Sequence, residues 1–543
     1  MLERRAMDLL DTRRPRVLLI AFCLLVWLPG LFTLPPTDRD ESRFAQASKQ
    51  MIETGDYVRI MNGDEPRNRK PIGIYWLQVP FAAAARSLHL ATENPVWPYR
   101  LPSMAGGLLA VLATYEIGRA MGDRRAALLA AGMLAASVIV VVETHMAKTD
   151  AALLGATTVA MAILARAYAG LPIGRGGAAL FWIAMGAGIL LKGPLTPMVA
   201  GLAALSLAIA DRRAGWLRAL RPKSGVVLML LVVLPWFIAI GVATHGAFFS
   251  DAVGGDLGRK LASGDDAHGG PPGLHLLLLP LLAFPGTLLV LRALPTLWRQ
   301  RREAPTRFLV AWIIPSWIVF EAVPTKLPHY TLPLYPAIFL LAGQAWVAAQ
   351  PGGLWSRRIA PGITLLAAAV LGLGAAALPI VIHASWMLGL PALLAACLAG
   401  WLAIQPTRPT IALAAMLLVT ASLLGWELPH AAPLWLAPRI EQALTQAGLS
   451  NQPLAAVGFH EPSLMLLAGT GTVMAATGAD GAQALADGKA ASAAISDRDE
   501  ASFNAEATKL GLSLRTLGAL PGFNYSRGRN TLMTLYALVK PAS

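Results

Sequence analysis

Charged side chains stand close to the ends of long apolar runs in this sequence, with acidic and basic residues mixed among them. Acidic and basic groups that converge on one cavity could bind a phosphate and leave a carboxylate to handle a proton. Taken singly, each charged segment is more typical of solvated residues that anchor a helix end. A functional interpretation therefore requires that the segments meet at one site. The groups are DRDESR at 38–43 with NRKP at 68–71, ETHMAKTD at 143–150, LLKGP at 190–194, the charged segment 251–268 and PTKLPHY at 324–330.

Lysine and arginine side chains aimed at a phosphate would bind a leaving group. They would also keep a neighbouring carboxylate ionised, because an opposite charge lowers the pKa of a carboxyl whereas a nearby anion raises it. This chemistry suits transfer of a group from a lipid-linked phosphate donor, in which negative charge develops on the departing phosphate. The sequence contains neither a Gly-rich phosphate loop nor a nucleotide-binding fingerprint.

The composition sets the class of protein that must position these groups. The chain has 543 residues, of which 55% are hydrophobic and 14% charged, and its net charge is +14. Such a composition excludes an ordinary soluble globular protein and predicts a polytopic membrane protein. The first apolar run lacks a clear small-residue cleavage site, so we interpret it as a retained helix rather than a signal peptide. Cys23 and Cys397 lie in apolar runs, which predicts neither a disulfide framework nor a metal cluster.

Basic residues are concentrated in short loops of the apolar part, whereas residues 427–543 hold eight basic and nine acidic residues. The positive-inside rule explains this distribution without a nucleic-acid ligand and places the basic loops in the cytoplasm. With the N-terminus inside, an odd number of spans leaves the C-terminal segment outside. A span needs about 17–25 residues, and the thirteen predicted spans are 17–36, 101–118, 126–142, 151–168, 177–191, 194–211, 224–243, 274–291, 308–323, 330–348, 362–382, 386–404 and 410–426.

The apolar run PIGIYWLQVPFAAAA at 71–85 does not fit this threading, because it is short and contains Pro80. Counted as a span, it would place the basic loop 119–125 outside and invert everything that follows. We therefore predict a helix that lies in the outer interface, with Tyr75 and Trp76 at headgroup level. A further span, with a weakly obeyed charge rule, is the alternative.

The last part of the chain changes character. Short β-like runs (LAAVGF, GTVMAA, ASAAIS and TLMTLYALV) alternate with helix-like ones such as DEASFNAEATKLG, which predicts a small soluble α/β domain on the outer face. The predicted fold class is an α-helical polytopic membrane protein of about thirteen transmembrane helices. Residues 1–426 form its transmembrane transferase domain, with interfacial helices in the first outer loop 37–100. Residues 427–543 form a C-terminal periplasmic α/β domain.

The stretch DRDESRFAQASKQMIETGDYV, followed by NRKPIGIYWL, resembles the first outer loop of the C-type membrane glycosyltransferases. The family pattern there is an Asp-Glu pair with Arg two residues beyond the Glu, then a segment on the theme Glu-Lys-Pro. The resemblance covers most of 17–350 by motif order and is closest to the bacterial aminoarabinose–lipid A transferases and their protein-mannosyltransferase relatives. It continues through RLPSMAGGLLAVLATYEIGRAMGDRRAALLAAGML, AKTD, LLKGP and TKLPHYTLPLYP.

The resemblance implies a polyprenyl-phosphate-linked sugar donor, an active site at the outer leaflet and no nucleotide sugar. Asp40 matches the family's catalytic-loop Asp, Asp150 matches its second acidic position, and Glu41 completes the Asp-Glu pair as a third catalytic candidate. Lys70 matches the lysine that contacts the donor phosphate, and Lys192 matches the basic residue after the fifth span. The substrate-binding residues implied are Arg43, Lys70, Lys192, Arg259, Tyr330 and Tyr75.

Two positions depart from the family pattern. Arg69 stands where Glu is usual before Lys-Pro, and Lys148 stands where Arg is common. The first change removes a carboxylate beside Lys70, so we assign no metal ligands, and the sequence requires no cofactor. The acceptor decides the role of Asp40, which could take the proton of a hydroxyl acceptor. A lipid A phosphate is already ionised near neutral pH, and Asp40 would then orient it or offset charge on the sugar.

We therefore predict a glycosyltransferase of the bacterial inner membrane, with its active site facing the periplasm. It would move 4-amino-4-deoxy-arabinose, or a related sugar, from a polyprenyl-phosphate donor to lipid A or another outer-leaflet acceptor, without nucleotide or nucleic-acid partners. A hexosyl or mannosyl transferase acting on protein or polysaccharide is the alternative within the superfamily. A secondary transporter is the alternative of another class, although no internal repeat is clear and the charges lie at one face. A non-catalytic lipid-binding scaffold is a third.

Overall fold

The computed structural model describes residues 9–90, 94–252, 269–348, 353–450 and 452–539. Most of these residues are helical, and one larger sheet lies near the C-terminus. The α-helices are α1 Pro15–Trp27, α2 Asp40–Thr54, α3 Gly73–Ser87, α4 Trp97–Met121, α5 Arg124–Ala136, α6 Val138–Thr144, α7 Thr149–Tyr168, α8 Arg175–Lys192, α9 Leu195–Ala210, α10 Pro222–Ala243, α11 Ala247–Phe249, α12 Leu274–Leu282, α13 Thr287–Gln300, α14 Ala304–Ala322, α15 Tyr335–Val347, α16 Ala360–Val381, α17 Leu390–Ala403, α18 Pro409–Ser422, α19 Leu428–His430, α20 Leu436–Gln446, α21 Pro462–Ala468, α22 Gly478–Ala486 and α23 Glu500–Lys509.

Shorter elements join these helices. The strands are β1 Met61–Asn62, β2 Glu65–Pro66, β3 Leu454–Val457, β4 Val473–Ala475, β5 Ser492–Ser496, β6 Leu514–Asn524 and β7 Arg529–Leu538. Tight 3₁₀ turns occur at Leu9–Asp11, Gly215–Leu220, Pro328–Leu334, Trp386–Leu388 and Ala432–Leu434, and π-helical turns at Trp355–Ile359 and Leu423–Glu427.

Six helical segments of the described residues are long and apolar enough to cross a membrane, or seven if the bent pair α5–α6 forms one span. A multi-span membrane protein is therefore the class that the structure supports. Every predicted span overlaps a helix or a pair of helices, but α1 and α9 are apolar helices of only 13 and 16 residues. Because a bilayer needs about 17–25 residues, the count of thirteen stays a prediction.

Glycines bring two pairs of helices into backbone contact. A Cβ on Gly106 of α4 would lie 2.5 Å from the carbonyl oxygen of Ala151, and one on Gly155 of α7 would lie 2.6 Å from that of Gly106. Close approach through small residues is typical of packed membrane helices. A Cβ on Gly73 would likewise lie 2.7 Å from the backbone of Leu190. These contacts fix the start of α7 against α4, and the first turn of α3 beside the last turn of α8.

The helix predicted in the interface is α3, and it has two different faces. Its buried residues include Tyr75 and Gln78, whereas Trp76 and Phe81 are exposed. The prediction that Tyr75 lies at headgroup level is wrong. Its side chain is fully buried, and its ring centroid lies 5.4 Å from that of Phe44. Neighbouring residues point about 100° apart around a helix, and this step turns Trp76 outwards while Tyr75 packs inwards.

The C-terminal sheet has the strand order β4-β3-β5-β7-β6. Strand β3 runs parallel to β4 and β5, and β7 runs antiparallel to β5 and β6. The four runs predicted as β-like coincide with β3, β4, β5 and β7, and the run predicted as helical coincides with α23. A separate domain that starts at residue 427 stays a prediction.

Candidate active site

One cavity collects most of the charged groups that the sequence singled out. Its volume is about 330 Å³, and its wall combines α2, the segment 62–70, the start of α7, the end of α8 and the segment 325–330. The lining residues are Asp40, Arg43, Phe44, Asn62, Glu65, Pro66, Arg67, Arg69, Lys70, Lys148, Thr149, Asp150, Lys192, Thr325, Leu327, His329 and Tyr330.

Helix α2 presents Asp40 to this cavity from its first turn. Acidic residues favour that position because the N-terminus of a helix carries partial positive charge. The side chain of Asp40 is 54% exposed, and its Oδ1 lies 3.9 Å from Nη2 of Arg67. The Arg67 guanidinium in turn lies over the Phe44 ring, 4.6 Å from its centroid. Asp40 is thus an accessible carboxylate beside a cation whose position is fixed by an aromatic ring.

A second, buried group of charges lies at the start of α7. Nζ of Lys148 lies 2.9 Å from Oε1 of Glu143 and 3.6 Å from Oδ2 of Asp150. Lys192 donates a hydrogen bond to the other oxygen of Asp150. His329 closes the group, with Nε2 located 3.7 Å from Asp150 Oδ1. Removing charge from water is costly unless it is paired, which explains why lysines and carboxylates occur here together.

The protonation states in this group follow from burial and neighbouring charges. Burial disfavours the charged form of Lys148, but the carboxylates of Glu143 and Asp150 outweigh it and raise the pKa of Lys148. Burial lowers the pKa of His329 well below its usual value, and the lysines at 148 and 192 lower it further. Lys148 is therefore a permanent cation near neutral pH, and His329 is a neutral imidazole.

The segment that carries Lys70 meets the end of α8 because Gly73 packs against the backbone at Leu190. This contact brings Lys70 and Lys192 to the same cavity. Nζ of Lys192 lies 5.2 Å from the ring centroid of Tyr330. Asn68 donates a 2.9 Å hydrogen bond to Asp251, the first residue of the charged segment 251–268. Arg259, predicted in that segment, lies outside the described residues.

Glu41 faces away from the cavity, unlike its neighbour Asp40. Its carboxylate is fully buried and pairs with the equally buried Arg100 at 2.8 Å. It also accepts hydrogen bonds from the backbone nitrogens of Thr37 and Ala147, at 2.8 and 2.9 Å. Burial would raise the pKa of Glu41, but Arg100 outweighs this and lowers it. The geometry thus corrects the prediction that Glu41 is catalytic and gives it a positioning role. Tyr75, predicted to bind substrate, is likewise not among the residues that line the cavity.

Comparisons with known proteins show what the chain as a whole is similar to. Residues 70–238 match the family described as dolichyl-phosphate-mannose-protein mannosyltransferase. The chain is 31% identical over 345 residues to the undecaprenyl phosphate-alpha-4-amino-4-deoxy-L-arabinose arabinosyl transferase of Pseudomonas aeruginosa, a match that covers 61% of this chain and 59% of that protein. The protein of the same name from Pectobacterium carotovorum is 28% identical, with coverage of 67% and 64%.

The fold comparison spans nearly the whole molecule. ArnT from Cupriavidus metallidurans bound to undecaprenyl phosphate superposes with a TM-score of 0.73 at 23% identity, and covers 95% of this chain and 97% of its own. This chain is thus similar in sequence to these arabinosyl transferases and shares the fold of ArnT. The resemblance seen in the sequence is thereby confirmed. The sequence match nevertheless spans about three fifths of the length of the Pseudomonas relative (59%).

Against that family background, the cavity contains residues that the sequence reasoning did not select. Arg67, Lys148 and His329 line it beside the predicted groups. Lys148 and His329 lie in charged segments already noted, which also carry the resemblance described from the sequence, and Arg67 directly precedes the NRKP segment. Selecting them required the fold, because their partners lie far away along the chain. Among the described residues, no group of three His, Cys, Asp or Glu side chains is arranged to hold a metal ion.

Proposed function

We propose that this chain is a glycosyltransferase that moves 4-amino-4-deoxy-arabinose, or a closely related sugar, from a polyprenyl-phosphate donor to lipid A. The reaction would take place at the outer face of the bacterial inner membrane. The observation that carries the proposal is a cavity in which an accessible carboxylate, Asp40, faces several lysine and arginine side chains. The names and the shared fold of the relatives support the donor class.

The donor phosphate fits the side of the cavity formed by Lys70, Lys192 and Tyr330. In transfer, the bond between the sugar C1 and the phosphate oxygen breaks, and its electron pair remains on the phosphate. The released phosphate monoester carries more negative charge than the donor diester. Cations that contact it therefore bind the transition state more strongly than the ground state, which raises the turnover rate. The ion pair with Asp150 would hold Lys192 in place for this task.

Asp40 lines the same cavity as these lysines, and its role depends on the acceptor. A hydroxyl acceptor would form the new bond to C1 and give its proton to the Asp40 carboxylate. An ionised phosphate acceptor has no proton to give, and Asp40 would then offset positive charge that develops on the sugar. Arg67 lies 3.9 Å from Asp40, and Arg43 and Arg69 line the same cavity. These three cations support an anionic acceptor such as a lipid A phosphate.

A second candidate is transfer of a hexose or mannose to protein or polysaccharide. The match of residues 70–238 to a protein-mannosyltransferase family favours it. It would use the same donor phosphate site, and only the sugar and acceptor would differ. The 31% identity to an arabinosyl transferase supports the first candidate instead.

Two measurements separate these candidates. The purified chain is incubated with undecaprenyl-phosphate aminoarabinose and lipid A, and the products are analysed by mass spectrometry. We expect lipid A that has gained one aminoarabinose. The mass spectrum of lipid A from bacteria with and without the gene should show the same addition. Transfer from a polyprenyl-phosphate hexose alone would support the second candidate, and transfer from neither donor would overturn both.

The outer location has its own test. A reporter enzyme that is active only outside the cytoplasm, fused after Pro438, should be active, because thirteen spans would separate it from a cytoplasmic N-terminus. Activity of a cytoplasmic reporter at that position would contradict the interfacial assignment of 71–85 or the number of spans.

A further inference from the structure

Helix α2 lies between the cavity and the C-terminal part of the chain. Asp40, Arg43 and Phe44 line the cavity, while another face of the helix contacts α21 and the turn after it. Nζ of the buried Lys49 donates a 2.9 Å hydrogen bond to the carbonyl of Leu466. Gln46 donates to the Thr470 hydroxyl at 2.9 Å, which itself donates to Glu53. The helix that carries Asp40 is thus held along its length by C-terminal residues.

The contacts are most specific at the start of α2, directly before Asp40. The backbone nitrogen of Asp38 donates to the Tyr525 hydroxyl at 2.5 Å, and the Ser463 hydroxyl donates to the Asp38 carboxylate. The Arg39 guanidinium donates to the carbonyl of Ser526. We call these residues, Asp38, Arg39, Ser463, Tyr525 and Ser526, the latch. Each of its three contacts joins residues more than 400 positions apart in the chain.

The backbone conformation between Asp38 and Asp40 needs such support. Arg39 has a φ of 65°, in the left-handed region that residues with a side chain rarely adopt. It occupies the N-cap position of α2, and its side chain makes no capping hydrogen bond to the helix. An unusual conformation persists where surrounding contacts determine it. The latch supplies those contacts on both Asp38 and Arg39, one and two residues from the candidate catalytic carboxylate.

Asp40 itself has little to fix its direction. Among the described residues its one ion pair is the 3.9 Å contact with Arg67, and half of its side chain is exposed. Its position in the cavity therefore follows from the backbone that precedes it. A displacement of about 1 Å in a reacting group can lower a rate about a hundredfold.

We propose that the latch sets the orientation of the Asp40 carboxylate, so that the C-terminal part of the chain positions the catalytic helix. This inference rests on the proposed function, and it makes Ser463 and Tyr525 positioning residues rather than catalytic ones. Neither of them lines the cavity. Their effect would be on turnover, while the groups that bind the donor phosphate stay in place.

The charges around the latch provide a readout that a simple packing contact would not give. The charged and titratable groups that face Asp38 are Glu461 and Tyr525 from the C-terminal part, and Arg39 beside it. Burial raises the pKa of Asp38 to about 7, with the nearby Glu461 adding to the effect and the hydrogen bonds of Ser463 and Tyr525 opposing it. A raised pKa means that the closed latch favours protonated Asp38. The latch should therefore loosen as the pH rises through about 7.

The test compares the full-length protein with the double variant Ser463→Ala/Tyr525→Phe and with Asp38→Asn. We expect the double variant to lose about tenfold to a hundredfold in kcat while the KM for donor stays within about twofold. Ser463→Thr keeps the hydroxyl and should restore most of the rate lost by Ser463→Ala. Asp38→Asn keeps a hydrogen-bonding side chain without a charge, and should flatten the pH dependence of kcat between pH 6 and 8.

The matched control is Tyr536→Phe, which removes a 2.6 Å hydrogen bond to Glu500 within the C-terminal part. It should leave kcat unchanged. Amide hydrogen exchange of residues 37–43 gives a second measurement that does not need activity, and the double variant should exchange faster there. Unchanged exchange, or a wild-type kcat per folded molecule, would overturn the latch. An inactive wild-type protein with faster exchange in the variant would instead contradict the proposed function alone.

Discussion

Asp40 and Asp150 both lie in the first turn of a helix and both face the cavity, yet their surroundings differ sharply. The Asp40 side chain is 54% exposed, with Arg67 at 3.9 Å. The Asp150 side chain is 6% exposed, and both of its oxygens contact lysines. One carboxylate is therefore free to meet a substrate, and the other is used to order Lys148 and Lys192. Similar positions in two helices thus support different tasks, reaction at Asp40 and positioning of cations at Asp150.

The largest effect should come from Asp40→Asn, which tests the reactive side of this comparison. Loss of one preorganised transition-state contact costs about 10²–10³ in rate, and a lost proton acceptor would cost a similar factor. Because the side chain is half exposed, the melting temperature should hardly change. The assay is kcat for sugar transfer together with thermal unfolding. Asp64→Asn, an exposed acid of the same outer segment, is the control. A wild-type kcat in Asp40→Asn would remove Asp40 from the mechanism.

The next effect concerns Lys70, which lines the cavity together with the two carboxylates. Hydrogen bonds to charged groups contribute about 1.5–3 kcal/mol, so Lys70→Ala should lower kcat/KM for the donor about tenfold to a hundredfold. Lys70→Arg keeps the charge but changes its geometry, and should retain part of the activity. Kinetics with donor and acceptor varied separately measure this.

The alternative for Lys70 is an interface anchor whose charged end reaches lipid headgroups. In that case Lys70→Ala would reduce expression or stability and leave the specific activity of the surviving protein unchanged. A normal maximal rate with only the acceptor's apparent affinity weakened would likewise show that Lys70 does not hold the departing phosphate.

Asp150→Asn tests the positioning side of the comparison. Breaking a buried ion pair by removing one partner costs about 3–5 kcal/mol, and Glu143, which shares Lys148, should reduce that cost. We expect a lower melting temperature and a smaller loss of turnover than in Asp40→Asn. In the double variant Asp150→Asn/Lys192→Met the stability should partly recover, because no unpaired charge remains, while the donor affinity should not. A normal melting temperature for Asp150→Asn would instead contradict the positioning role of Asp150. It would mean that Asp150, like Asp40, is not needed to hold a buried ion pair.

The sequence predicted which segments meet, because charged motifs at helix ends must share a face once the helices cross the membrane. Asp40, Lys70, Asp150, Lys192 and Tyr330 do line one cavity. The β-like runs of the tail also became strands, since their apolar stretches are bounded by turns. Helices shorter than a bilayer, such as α1, show why the number of spans could not be derived from hydropathy alone.

Side-chain direction was the harder part. Glu41 follows Asp40 directly, but a step of about 100° around the helix turns it towards Arg100. The same step separates buried Tyr75 from exposed Trp76. The local sequence does not indicate that Glu41 pairs with Arg100, because Arg100 lies 59 residues further along the chain. The latch partners Ser463 and Tyr525 were equally hidden, because a contact across more than 400 residues has no local signal.

The smallest expected effect is on the pH dependence of stability, and it concerns the buried group of charges around Asp150. His329 faces Asp150, Glu143 and Lys148, and burial lowers its pKa well below the usual value. In the unfolded chain a histidine titrates near pH 6.5. The unfolded state therefore binds more protons below that pH, so stability is present above it and falls as the pH is lowered.

Between pH 7 and 5.5 the loss from His329 should be about 1 kcal/mol. Replacing it by Gln removes the titration, so the melting temperatures of wild type and His329→Gln should converge or cross as the pH falls. The contribution of Asp38 to stability has the opposite dependence on pH, because its pKa is raised in the folded protein. Asp38→Asn should therefore change the melting temperature most at high pH. Melting temperatures of wild type and His329→Gln that stay parallel across this range would mean that folding does not shift the pKa of His329. A wild type that instead gains stability over His329→Gln as the pH falls would mean that His329 is charged in the folded protein. Asp150 would then pair with a third cation, and the contrast with Asp40 would be greater still.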